Sequence, residues 1–184
     1  MPSRTLDHLT RMVLPASAEY FSIEESTANA EGDTDAVLRK AYDTSIALDG
    51  LVDRASLEFS LSKREVIDAV DRESRFPGGA ERPGCIERIR AVANAYKHAE
   101  LSDKSLPLTS DQDVFFFGAG YGVDGFGVGK FGGMETLMRD KSGHVWKFLG
   151  DLPCAIYGWA AFLRDHGVSM PGTKHTVCNL EIEI

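Results

Sequence analysis

The stretch TDAVLRKAYDTSIALDGLVDRASL, from Thr34 to Leu57, decides the fold class. Val37, Leu38, Ala41, Leu48, Leu51, Val52 and Ala55 recur in it at three- and four-residue steps, the spacing that gathers side chains on one face of an α-helix. A helix of this length with one apolar stripe is what a bundle buries. Gly50 interrupts the stripe, at a cost of about 1 kcal/mol relative to Ala.

On the N-terminal side, Leu6, Leu9 and Val13 share a face of a helix predicted from Thr5 to Leu14. Pro15 is expected to interrupt it, and a second short helix follows to Ser26. Ala28 to Asp33 reads as a loop. On the C-terminal side, Ser62 and Glu65 form a capping box, in which each side chain accepts from a free amide of the first turn. The helix they open turns Val66, Ile67 and Val70 inward and stops at Phe76-Pro77-Gly78-Gly79. A further helix runs from about Cys85 to Leu101.

After Ser102 the composition changes. Val114 to Phe117 favours a strand, and glycine dominates from Gly118 to Gly133. Asp124-Gly125 suits a type I′ turn. Met134–Arg139 and His144–Leu149 flank Asp140-Lys141-Ser142-Gly143, a second hairpin signal. Asp151 is expected to cap a last helix, with Pro153 in its permissive first turn and Gly167 past its end. Leu180 to Ile184 alternates as an edge strand does, against the meander or across an oligomer interface.

The expected architecture is therefore α+β and mainly α: about five helices in a bundle, with a small antiparallel β-meander inserted before the last helix. One domain spans 1–184. It comprises a helical part at 1–105, glycine-rich hairpins at 113–149, a final helix at 151–167 and a terminal strand at 177–184.

The 184 residues carry a formal charge of -8, with 43% hydrophobic and 26% charged side chains. An acidic balance weakens attraction to phosphate backbones and anionic membranes. No window supplies the ~20 apolar residues of a membrane span, and the N-terminus lacks a secretory pattern, so the cytoplasm is the expected location. Cys85, Cys154 and Cys178 form no C-x-x-C pair, which indicates neither a disulfide framework nor a thiolate zinc site.

The helix after Cys85 carries the candidate chemistry. Ile86, Ile89, Val92, Ala93 and Tyr96 share its apolar face. Ala91, Ala95 and Ala99 form a row where another helix can approach closely. Arg90, Asn94 and His98 form a polar row one turn apart. Arg brings a permanent charge, Asn a donor and an acceptor, and His a proton exchangeable near neutral pH. The same row also fits a simply solvated face.

The run Ala93-Asn94-Ala95-Tyr96-Lys97-His98, followed by Leu101, resembles a helix of uncharacterised bacterial proteins that precedes a glycine-rich β-segment. It is also similar to the active helix of HEPN domains, helical bundles that often dimerise and include metal-independent ribonucleases. The resemblance implies that His98 acts on a ribose 2′-hydroxyl while Arg90 stabilises the phosphorane charge. HEPN domains use a shorter Arg-to-His spacing, with a polar residue beside the Arg, where this chain has Ala91.

Other signals point to structure. Gly120–Gly125 and Gly127–Gly132 each match G-x-G-x-x-G, but no helix is expected to open after either. Gly129-Lys130 lacks the Ser or Thr of a P-loop, because Phe131 follows. The alternating glycines would leave one face of each strand bare for close packing. His8, His98, His144, His166 and His175 are dispersed, and neither a metal nor a cofactor is expected. Asp49, Asp53, Asp68 and Asp71 read as carboxylates on solvated faces or paired with Arg54 and Arg75. The reading favoured is a non-catalytic, self-associating interaction or regulatory module, a homo-oligomer that also takes a protein partner. RNA enters only under the HEPN-like alternative, with Arg90, Asn94 and His98 as its catalytic residues.

Overall fold

The chain's first helix begins where Ser3 accepts the Leu6 amide at 3.1 Å and the Glu58 carboxylate accepts the Thr5 amide at 2.8 Å. The computed structural model describes residues 3–27, 33–77, 79–118 and 134–184. Both G-x-G-x-x-G runs and the Asp124-Gly125 turn lie outside the described residues, as does most of the Ala28–Asp33 loop.

Pro15 does not break the first rod. α1 (Arg4–His8) continues through a π-helical turn (Leu9–Val13) into α2 (Leu14–Ser26). Proline has no N–H to give, and its ring crowds the carbonyl four residues back. The turn before it is widened, with the Leu14 amide on the Leu9 carbonyl, so the rod passes the proline intact.

α3 (Thr34–Phe59) starts at Asp33, which accepts the Ala36 amide, and ends at Ser60 in the left-handed region with φ 57°. Its stripe is buried from Val37 to Ala55 except at Leu38, which is partly buried against the core. Gly50 leaves room for the Arg54 guanidinium, whose Nη1 a Cβ there would approach to 3.2 Å, and the His8 ring lies beside it with Nε2 2.9 Å from the Ala47 carbonyl. α4 (Lys63–Glu73) carries both halves of the capping box at Ser62 and Glu65.

α5 (Cys85–Lys97) is shorter than its sequence predicts. The predicted helix to Leu101 stops because the Leu101 amide bonds the Thr109 carbonyl and the Asp111 amide bonds the Ala99 carbonyl. That pairing buries Leu106 and Leu108, and it engages the Leu101 amide and the Ala99 carbonyl that another helical turn would use.

β1 (Val114–Gly118), β2 (Met134–Arg139) and β3 (Val145–Lys147) form an antiparallel sheet in that order, with Phe116 opposite Thr136 and Met138 opposite Trp146. The Asp140–Gly143 turn joins β2 to β3 as expected.

α6 (Phe148–Asp165) follows β3 without a connector, three residues earlier than its sequence suggests. Asp151 is therefore inside the first turn and not its cap. Buried residues surround nearly the whole circumference of α6, which makes it the central helix. Gly158 permits its close crossing with α4, since a Cβ there would lie 2.7 Å from the Val70 carbonyl.

Among the described residues the terminal strand pairs within its own two-stranded hairpin and not with the meander. β4 (Lys174–Val177) and β5 (Leu180–Glu183) are antiparallel, turning at Cys178 and Asn179 with φ 49° and 64°. One apolar cluster draws on all the helices and both sheets. No helix among the described residues is long and apolar enough to cross a membrane.

Candidate functional site

The polar row of α5 meets its neighbours separately. Arg90 Nε donates to Asp49 of α3 at 3.0 Å, and its Nη1 donates to Glu87 at 3.1 Å. Glu87 also accepts from Arg64 at 2.8 Å, and Arg64 pairs with Asp68 on its own helix. The result is a string of alternating charges that ties α3, α4 and α5 across one surface. These pairs, partly buried at Arg90, Asp49 and Glu87 and exposed at Arg64 and Asp68, contribute little individually and fix register collectively.

Asn94 donates through Nδ2 to the Arg90 carbonyl at 2.8 Å, folding back on its own helix. His98 has left the row. It is the C-cap residue, with extended dihedrals of φ -141° and ψ 124°, and it is exposed. Arg90 and Asn94 thus stay together through one main-chain carbonyl, while His98 lies beyond the helix end.

Tyr96 also departs from the predicted apolar face. It is 57% exposed and rests on Tyr42 of α3, ring centres 5.2 Å apart. The other four predicted positions are buried.

The carboxylates are paired, though with other partners than the sequence suggests. Asp49 takes Arg90, Asp53 takes Lys63 at 2.5 Å, and Asp71 accepts the Gly84 amide at 2.9 Å. Arg75 pairs with Glu73.

The strongest electrostatic feature is one that sequence reasoning missed. Asp151, fully buried, accepts from Arg82 Nε at 2.7 Å and from Arg88 Nε and Nη2 at 2.7 and 3.0 Å. Both guanidiniums are only 6% exposed, and the Trp146 ring covers Arg88 at 3.9 Å. A pair of planar donors on one carboxylate suits bidentate recognition, and the indole face adds a cation–π contact. The signal was present: Asp151 is a lone acid within an otherwise apolar run from Phe148 to Leu163. A charge there needs a partner from elsewhere. Its burial leaves no open face for a substrate, so the cluster is a clasp joining α5, the segment before it and α6.

A second buried polar group joins α2 to the sheet. Glu24 accepts from the Tyr20 hydroxyl at 2.5 Å and from the Thr136 amide at 2.8 Å. Burial, then the Glu24 charge, pushes the Tyr20 hydroxyl well above its ordinary range. Burial likewise raises the Cys85 and Cys178 thiols, so neither is poised as a thiolate nucleophile. Among the described residues, no group of three or more His, Cys, Asp or Glu could hold a metal ion.

Two surface hollows lie at the N-terminal end of the first rod. One, of about 620 Å³, runs between Leu6, Glu58 and Met170. The other, of about 410 Å³, is bordered by Arg4, His8, Arg11 and Arg54. Comparison with protein-family models, curated proteins and solved structures finds no match.

Proposed function

We propose that this chain is a non-catalytic interaction module that self-associates. The observation carrying the proposal is the fate of the polar row: Arg90 and Asn94 are engaged within the bundle, and His98 sits outside the helix that would aim it. A general acid–base pair needs its members held on one reacting atom, and these three are held by different neighbours. The exposed Tyr96 on Tyr42 supplies the kind of rigid aromatic surface that interfaces favour. Copies of a chain with charge -8 repel one another, so association should strengthen as salt screens that repulsion.

Sedimentation equilibrium over a range of protein and salt concentrations tests the reading. A mass above that of one chain, reduced by Tyr96→Glu, supports it. A monomer at every concentration overturns it.

One observation favours the HEPN-like alternative: His98 is accessible, as an RNA-cleaving histidine must be. RNA cleavage in chelator by the purified protein, lost in His98→Ala, would establish that alternative and displace the interaction reading. Equal or absent cleavage in both proteins removes it.

A further inference from the structure

We propose that the hollow between the first rod and α3, bordered by Arg4, His8, Arg11 and Arg54, binds a tetrahedral dianion of the phosphate or sulfate type. Arg4, His8 and Arg11 fall at four- and seven-residue intervals, so they share one face of the rod. Arg54 reaches the same hollow from α3. Three guanidinium charges meet one carboxylate, Asp7, within a chain that is acidic overall.

The arginines are held in a way that leaves donors over. Arg54 uses Nη1 to bond the Gly50 carbonyl at 2.9 Å. Arg11 uses Nε to hold Asp7 at 2.8 Å. Each retains further N–H groups, and Arg4 has no ion-pair partner among the described residues. Planar guanidiniums of this kind match the oxygen spacing of phosphate and sulfate.

His8 completes the arrangement. With Nε2 bonded to the Ala47 carbonyl, that nitrogen carries the hydrogen, and protonation adds a donor at Nδ1. Burial first, and then the Arg54 charge, outweigh the Ala47 hydrogen bond and the Asp7 charge, so the unliganded ring is easier to deprotonate than usual. A bound dianion reverses this balance. The charged groups facing the ring are Asp7, Arg4, Arg11 and Arg54.

Gly50 is the second, independent observation. It sits in the interior of a long helix, where Ala would be more favourable, and a Cβ there would stand 3.2 Å from Arg54 Nη1 and 3.5 Å from His8 Nε2. The missing side chain is what lets the Arg54 guanidinium lie against the α3 backbone beside the His8 ring, which a Cβ would only touch.

The test follows the His8 ring resonances by NMR while the full chain is titrated with sulfate, inorganic phosphate and glycerol phosphate. Sulfate remains a dianion across the pH range used, so its affinity reports the protein alone. Saturable shifts are expected, with affinity for sulfate rising as pH falls through the His8 titration and losing that dependence in His8→Gln. Arg54→Gln should weaken binding about tenfold, the effect of losing one charge-assisted bond. Gly50→Ala should weaken it while the melting temperature holds or rises, which separates the site from the fold. Tighter binding of glycerol phosphate than of inorganic phosphate assigns the site to a phosphomonoester, and the reverse assigns it to the free ion. Shifts that never saturate, or an equal loss in Arg39→Gln on the opposite end of α3, overturn the proposal.

Discussion

Replacing Asp151 should be among the most damaging single changes in this protein. The carboxylate is fully buried and holds two guanidiniums through contacts of 2.7, 2.7 and 3.0 Å. Asp151→Ala would leave Arg82 and Arg88 close together, each 6% exposed, with no anion between them. Removing one partner of a buried ion pair typically costs about 3–5 kcal/mol, because the remaining charge stays desolvated. For a domain of this size each kcal/mol shifts the melting temperature by roughly 2–4 °C, so the expected drop is about 6–20 °C. Asp151→Asn keeps the shape and one accepting oxygen, and should lose less. Thermal and urea unfolding followed by circular dichroism measure both. A second comparison checks the cause: Arg88→Met should cost less in an Asp151→Leu background than in the native protein, because the two groups are coupled. A drop below about 3 °C for Asp151→Ala, or strictly additive effects of the two changes, would refute the clasp as an electrostatic device.

Gly158→Ala should destabilise by roughly 1–3 kcal/mol, since its Cβ would press on the Val70 carbonyl at 2.7 Å and the α4–α6 crossing must open; urea midpoints measure it. Ser60→Gly should raise the melting temperature slightly, by about 1–3 °C, because Ser60 is exposed and left-handed at φ 57°, where glycine carries no Cβ penalty. Asp140 should supply acid-sensitive stability. Hydrogen bonds from Ser142, Trp146 and His144 outweigh its partial burial and lower its pKa from 3.8 to about 2. Its contribution is full above the unfolded value and is lost as pH falls towards 2, so unfolding of the wild type between pH 4 and 2 should be steeper than that of Asp140→Asn. Equal slopes for the two proteins would remove Asp140 from that account.

The amino-acid sequence was sufficient wherever the signal is local. The α3 stripe, the Ser62–Glu65 capping box and the Asp140–Gly143 turn each depend on residues within a few positions of one another, and each formed as its pattern predicts. The architecture, a mainly helical fold with a small antiparallel sheet before the last helix, follows from the order of such signals. Tertiary structure decided what depends on distant partners. The end of α5 was fixed by Leu101 and Ala99 bonding to Thr109 and Asp111, and that pairing carried His98 out of the polar row. Arg90 found Asp49 forty-one positions away, and Asp151 found Arg82 sixty-nine positions away. Periodicity describes which face a side chain occupies, but not which charge waits opposite. A buried ion must be matched in three dimensions, and only the packed chain brings those groups within hydrogen-bond reach.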